Sequence, residues 1–389
     1  MSSKVYWTSL RCQVDESPLT KLERLIVKAG IKTIDFRNKF VAVKIHFGEP
    51  GNMSYLRPNW AKTVVDQIKS LGGFPFLTDC NTLYVGRRNN ALVHLVAAAE
   101  NGFNPVTTGC QNIIADGLKG TDDIEVPVRN GVYCKTAYIG RAVMDADIVL
   151  SLNHFKGHEC AGFGGAVKNI GMGCGSRGGK MVMHSDGKPQ VHASACIGCK
   201  FCARFCNENA FTFSKNEKAK IDHAKCVGCG RCIGTCNQHA IKPAFDASFD
   251  RLVCKMVEYA QAVLDGRPNF HINIVNQVSP HCDCHGANDV GVVPDIGMFA
   301  SFDPVAVDKA CIDAVNAATP MTDSVLAECQ QTHKDATVPP AQSTVPPAQS
   351  TGHSDHFTNI HPATDWRSQI AHAEKIGLGT GDYSLVYVK

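Results

Sequence analysis

Cys196, Cys199, Cys202 and Cys206 follow the spacing C-x2-C-x2-C-x3-C, and Cys226, Cys229, Cys232 and Cys236 repeat it. Two-residue steps let a tight loop wrap successive thiolates round one iron–sulfur cube, and in this arrangement the fourth cysteine of each run reaches across to the other cube. The expected ligand sets are therefore Cys196, Cys199 and Cys202 with Cys236, and Cys226, Cys229 and Cys232 with Cys206, each holding a 4Fe-4S cluster. Gly198 and Gly228 supply the turn in each loop, while Asn207 and Asn237 stand where proline commonly follows the fourth cysteine. Zinc in paired C-x2-C sites would leave the third step of each run without a purpose.

A second constellation lies upstream, from Asn153 through His154, Lys156, His158, Glu159 and the glycine-rich Ala161–Lys168 to Asn169, Cys174, Lys180 and His184. Glycines this dense let backbone approach a ligand and aim amides at an anion, which nominates Gly164, Gly165, Lys168 and Asn169 as cofactor-binding residues. Neither Lys168 nor Lys180 is followed by serine or threonine, so this is no Walker-type phosphate loop. Of the 19 cysteines, Cys174, Cys282 and Cys284 share glycine-rich or polar settings that suit ligands. With imidazole from His46, His154, His158, His184 or His281 they are expected to build a further metal centre or open cluster, fed by the two cubes. Cys12, Cys80, Cys110, Cys134, Cys160, Cys254, Cys311 and Cys329 read as small buried hydrophobes or inert thiols. Asp79 and Asn81, in a polar turn at a strand end, are second-rank ligand candidates.

The elements that must position these groups alternate strand with helix. Strands are expected at Lys4–Leu10, Phe40–Phe47, Phe74–Thr78, Ile124–Val128, Asp147–Leu152 and Phe270–Val278. Helices are expected from Ser17-Pro18, from Pro58 to about Leu71, over Asn89–Asn101 and Phe245–Leu264, and after Asp303-Pro304, where Asp303 is an N-cap. This order predicts an α/β fold with a mostly parallel sheet and flanking helices. It is built discontinuously from residues 1–186 and 244–389, around an inserted α+β ferredoxin-like module at 187–243. VPPAQST at Val338–Thr344 recurs at Val345–Thr351, so residues 332–353 are expected to form a flexible surface loop.

The 389 residues are 44% hydrophobic, with 39 basic and 36 acidic side chains giving a net charge of +3. So balanced a charge argues against nucleic acid and membrane surfaces as partners, and no stretch reaches the ~18 apolar residues of a spanning helix. Cysteine-rich yet without a signal-peptide pattern, the chain is expected in the cytoplasm of an anaerobe. No flavin or dinucleotide fingerprint stands out.

The cysteine-rich segment resembles the two-cluster bacterial ferredoxins, which shuttle single electrons. His46-Phe-Gly-Glu49, Thr78–Tyr84, Asn153–Cys174, His281–Cys284 and Asp295–Pro304 together resemble the domain-of-unknown-function family numbered 362, whose members often carry such a module and imply no settled reaction. More distantly, Ala161–Lys168 followed by His184 is similar to the nickel-dependent lactate racemases. By that resemblance Lys168 would tether a nickel-pincer cofactor, His184 would coordinate nickel and His158 would serve as acid or base; Cys174, Cys282 and Cys284 depart from that pattern. The main expectation is an oxidoreductase, in which two 4Fe-4S clusters relay electrons from a donor or acceptor protein to a metal- or cofactor-binding pocket acting on a small molecule. The alternatives are a ferredoxin-type carrier docked to a partner enzyme by its large domain, and a metal-cofactor isomerase or cofactor-assembly factor.

Overall fold

The computed structural model describes residues 2–335 and 355–389, except 85, 186, 187, 207, 216, 227–230, 243 and 245. The tandem repeat therefore lies outside the described residues, as do Cys229, Gly228, Asn207 and Phe245.

Eight strands form one sheet: β1 Ser3–Ser9, β2 Phe40–Lys44, β3 Phe74–Asp79, β4 Asn112–Ile114, β5 Ile148–His154, β6 Asn269–Val275, β7 Gly297–Ser301 and β8 Tyr383–Tyr387. Their order is β8-β1-β7-β6-β5-β2-β3-β4. Only β7 pairs antiparallel with its neighbours, so the other strands share one direction and the sheet is mostly parallel. Strands from both sides of the cysteine-rich stretch join this sheet.

Among the helices that accompany it are α1 Pro18–Lys28, α2 Pro58–Ser70, α3 Ala91–Glu100, α4 Ala166–Cys174, α5 Arg177–His184, α6 Phe249–Leu264, α7 Pro304–Ala317 and α8 Trp366–Ile376. Their starts follow local chemistry. Ser17 Oγ accepts from Thr20 N ahead of Pro18, Asn90 Oδ1 from Leu92 N and Val93 N, and Asp303 Oδ1 from Val305 N and Ala306 N ahead of Pro304.

Side chains alternate across the pleat. Ile148, Leu150 and Leu152 of β5, with Phe270, Ile272 and Ile274 of β6, join a core with α1 and α2, whereas Val149 faces the core that holds α6 and α7. The chain thus runs from β2 outward to β3 and β4 by way of α2, then returns beside β2 and runs the other way from β5 to β6 by way of α6. The strand order reverses between β2 and β5, and a crevice opens there at the carboxyl ends.

The strand foreseen at Ile124–Val128 forms as Asp123–Pro127 but pairs antiparallel with Thr136–Gly140 in a separate hairpin, because both partners are supplied locally. Between Gln190 and Lys242 lie two small two-stranded sheets, Gln190–Val191 with Ile241–Lys242 and Phe211–Phe213 with Ala219–Ile221, and the short helices Phe201–Arg204 and Arg231–Thr235. No helix among the described residues is long and apolar enough to cross a membrane.

α4 is packed unusually tightly on α6: a Cβ at Gly171 would lie 2.1 Å from the Met256 carbonyl oxygen. No rotamer relieves a clash with backbone. Gly171→Ala is therefore expected to lower stability by about 2 kcal/mol in a urea titration, opposite in sign to the gain of about 1 kcal/mol that alanine ordinarily brings to a helix. A stabilised variant would show that the two helices are not in this contact.

Candidate functional site

The crevice at the strand-order reversal is a cavity of about 140 Å³. β2 contributes Lys44 and, just beyond its end, Ile45 and His46; β3 contributes Asp79; β5 contributes Leu152 and His154. α4 brings Lys168 and Asn169, and α5 brings Lys180 and His184.

Lys44, almost wholly buried, places its Nζ 3.0 Å from Asp79 Oδ1 and 2.7 Å from Asn169 Oδ1. Burial would raise the Asp79 carboxyl, but Lys44, His94, His46 and Lys180 outweigh it and hold the group well below the usual range. Asn169 Nδ2 donates to Lys44 O, Leu152 O and Asn153 Oδ1, tying α4 to the ends of β2 and β5. Breaking a buried pair leaves a bare charge behind, so Lys44→Met is expected to cost about 3–5 kcal/mol. Lys44→Met with Asp79→Leu should recover most of that loss in the same denaturant titration.

Across the cavity, the turn His281–His285 is pinned through its central residue. Asp283 accepts from His154 Nδ1 at 2.9 Å, lies 3.6 Å from Lys156 Nζ, and offers its carbonyl to Glu49 N. On either side of Asp283 stand Cys282, buried, and Cys284, which lines the cavity. Lys168 Nζ lies 3.2 Å from Cys282 Sγ. The Cys284 thiol, Lys168 and His158 together hold the Cys282 sulfur well below the ordinary thiol range against the effect of burial, while Cys284 is pushed up by the same shared proton.

Two of the histidines lining this cavity, His158 and His184, differ in tautomer. His158 Nδ1 accepts from Cys160 N and Ala161 N, so its proton sits on Nε2. His184 Nδ1 donates to Lys180 O, and burial draws this imidazole down to about 4, leaving it neutral at pH 7. One ring is thus set to give a proton at Nε2 and the other to accept one.

The glycine-rich loop does something other than cradle an anion. Ala166 N and Val167 N donate to the Asp308 carboxylate at 2.7 and 3.0 Å, and a Cβ at Gly165 would strike that same carboxylate. The amides that open α4 are therefore taken by a side chain of α7, and Gly164 and Gly165 make room for the protein's own groups.

The structure brings Lys168, His158, His184 and Asn169 to one cavity with Cys284, and Cys282 touches it through Lys168. Cys174 goes elsewhere: wholly buried at the end of α4, its carbonyl accepts from Cys80 Sγ, and burial raises its thiol to about 11. His281 lies outside the cavity, its ring tilted at 52° to that of His361 with centroids 5.5 Å apart. Among the described residues, donor atoms within 4.8 Å of one another form two sets, His158 with Glu159 and Cys160, and Glu159 with Cys284 and His285. Cys80 and Cys160, read as inert, also line the cavity, while Asn81 instead donates to Asp116.

Lys44 and Arg88 on this lining were not singled out by sequence reasoning, and Lys156, Glu159 and Lys180 stood in the upstream constellation without an assigned role. The available signal was a lysine inside the apolar run Val41-Ala-Val-Lys44 and another inside Asn153–Phe155-Lys156, both at strand ends where a charge needs a buried partner.

In the cysteine-rich segment, Cys196, Cys199, Cys202 and Cys236 line one small cavity, walled by Phe213, Ala219 and Ile241. Ala219 N donates to Cys196 Sγ, Ala240 N to Cys236 Sγ and Ala210 N to Cys206 Sγ. Burial and the neighbouring sulfurs raise the Cys202 thiol to about 11. Four thiols on an apolar-walled cavity, two of them receiving backbone amides, fit a cubane's donor requirements. Cys202, Ile233 and Ile241 pack with Met181 of α5 and with Leu83, and both α5 and Leu83 also wall the larger cavity.

An open, mostly parallel α/β sheet with a charged cavity at its switch point, joined to a small cysteine-rich unit, defines an α/β protein with candidate metal sites. The chain belongs to the family described as Domain of unknown function (DUF362), whose profile matches residues 41–313. No curated protein matches it. It is similar to the lactate racemase apoprotein from Thermoanaerobacterium thermosaccharolyticum at 11% identity, over 70% of this chain and 51% of that one, with a TM-score of 0.35. A structural-genomics target protein from Thermotoga maritima is similar at 12% identity, over 78% and 59%, with a TM-score of 0.37. This chain spans only about half the length of the racemase.

Proposed function

We propose that the protein is an iron–sulfur enzyme whose cysteine-rich unit exchanges electrons with a partner protein and with the cavity of the α/β domain, where a small anionic molecule is reduced. The observation that carries this reading is the gathering of Cys236 with Cys196, Cys199 and Cys202 around one cavity, in a unit packed through Met181 and Leu83 on the wall of the larger one. When bound, the two cubanes would supply electrons singly. The chain's own residues do the rest. On the lining Lys44 is paired with Asp79, Arg88 with Glu49 and Lys156 with Asp283, so attraction for an anion falls to Lys180, with Lys168 beside the Cys282 sulfur. His158 gives a proton from Nε2, and His184, neutral, accepts one.

Metal analysis of anaerobically purified protein should find about eight irons per chain. Lys168→Met should leave that content intact while abolishing substrate-dependent reoxidation of the reduced protein. Zinc at the cysteines, or reoxidation indifferent to Lys168, would overturn the reading, and reversible titration without turnover would return the protein to a docked carrier.

A second reading is favoured by Lys168 and His184 lining the same cavity. It is a metal-cofactor isomerase or cofactor-assembly factor in which Lys168 holds a cofactor covalently. An adduct at Lys168 in the intact mass, together with bound nickel, would select it.

A further inference from the structure

The turn His281–His285 carries a feature the proposed reduction leaves unused: two cysteines one residue apart, at the edge of the cavity, with the residue between them locked in place. Asp283 is wholly buried and held by His154 and by Lys156, so the turn cannot swing away. Cys282 Sγ accepts from Cys284 N at 3.4 Å and lies 3.2 Å from Lys168 Nζ. Cys284 lines the cavity and is half-buried, whereas Cys282 is covered. One sulfur is therefore presented to an incoming molecule and the other waits behind it beside an ammonium group.

We propose that Cys282 and Cys284 form a redox dithiol that reduces a small disulfide bearing carboxylates, Cys284 taking up one half of it and Cys282 resolving the mixed disulfide. This rests on the proposed function for its electrons. In the first step Cys284 sulfur attacks the substrate, its proton passing to the Cys282 sulfur; a Cys284–substrate S–S bond forms, the substrate S–S bond breaks, and one substrate half leaves as thiolate. In the second, Cys282 sulfur attacks Cys284 sulfur, its proton passing to the second half, which leaves as thiol. The Cys282–Cys284 disulfide is then reopened by two electrons, delivered one at a time from the cysteine-rich unit, and one proton, restoring a Cys282 thiolate and a Cys284 thiol. Lys168 steadies the sulfur that carries the charge, and the Lys180 ammonium on the lining favours substrates with carboxylates.

Iron-loaded protein is exposed anaerobically to cystine, and its peptides are mapped by mass after thiol trapping. Wild type should lose two hydrogens across Cys282 and Cys284, Cys282→Ser should accumulate one cysteinyl adduct on Cys284, and Cys284→Ser should do neither. Lys168→Met should slow the wild-type reaction about tenfold, and cystine should outpace the dicationic cystamine. No adduct on Cys284 in an iron-loaded Cys282→Ser protein, a metal ion already bound to Cys284, or equal rates with cystamine would overturn the proposal. A disulfide that forms normally but is not reopened by a reduced viologen dye would leave the dithiol standing and overturn the electron relay. A full iron content with no disulfide chemistry would do the reverse.

Discussion

Cys236→Ser is expected to remove about half of the iron, and the centre that is lost should be the one held by cysteines far upstream. In a local reading of the motif, Cys236 would serve the loop of Cys226 and Cys232. Instead it lines the cavity of Cys196, Cys199 and Cys202, with Ala240 N donating to its sulfur. The crossing follows from the small antiparallel pair Gln190–Val191 with Ile241–Lys242, which lays the end of the second run beside the start of the first. After the substitution, Cys196, Cys199 and Cys202 should become open to an alkylating reagent while Cys226 and Cys232 stay protected, read by peptide mass alongside iron content. The opposite pattern would assign Cys236 to its own loop and dissolve the interleaving on which the paired-cluster reading rests.

Asp308→Ala should rank with Lys44→Met among the most damaging changes in the α/β domain. The Asp308 carboxylate is wholly buried and takes hydrogen bonds from Ala166 N, Val167 N and Asn273 Nδ2. Removing it strands three buried donors, and the expected loss is about 3–5 kcal/mol, a large share of the 5–15 kcal/mol that holds a typical domain together. Lys168 follows directly on the two stranded amides, so its contact with Cys282 should loosen as well.

The pH dependence has a definite sign. Burial raises this carboxyl to about 6, above the value of about 3.9 it has in an unfolded chain. The folded state therefore binds the proton more tightly, and the stability this contributes is complete below about pH 4 and lost as pH rises through 6. About two units correspond to at most roughly 3 kcal/mol. Urea titrations at pH 5 and pH 8 should show the penalty of Asp308→Ala shrinking at the higher pH; a penalty that grows would mean the fold favours the ionised form.

Both predictions turn on contacts between residues far apart in the chain, and this marks where the sequence could be read and where it could not. Ser17-Pro18 and Asp303-Pro304 announced helix starts, because an N-cap needs only the next few amides. Near-continuous apolar runs announced β2, β3, β5 and β6, because a strand buried on both faces writes its pattern locally. The reversed strand Gly297–Ser301 and the terminal Tyr383–Tyr387 carried no comparable mark, since each is defined by its neighbours in the sheet.

The site divides the same way. The residues themselves already specified two runs of thiols at cluster spacing and a lysine, histidine and cysteine set dense with glycine, since side-chain chemistry and short spacings are properties of the chain alone. Folding alone decided that Lys44 meets Asp79, that Asp308 rather than a ligand takes the first amides of α4, and that Cys282 stands beside Lys168 while Cys174 is buried near Cys80. Each of these joins segments brought together by the order of strands, and that order is set by long-range burial and pairing for which no local pattern of residues is a substitute.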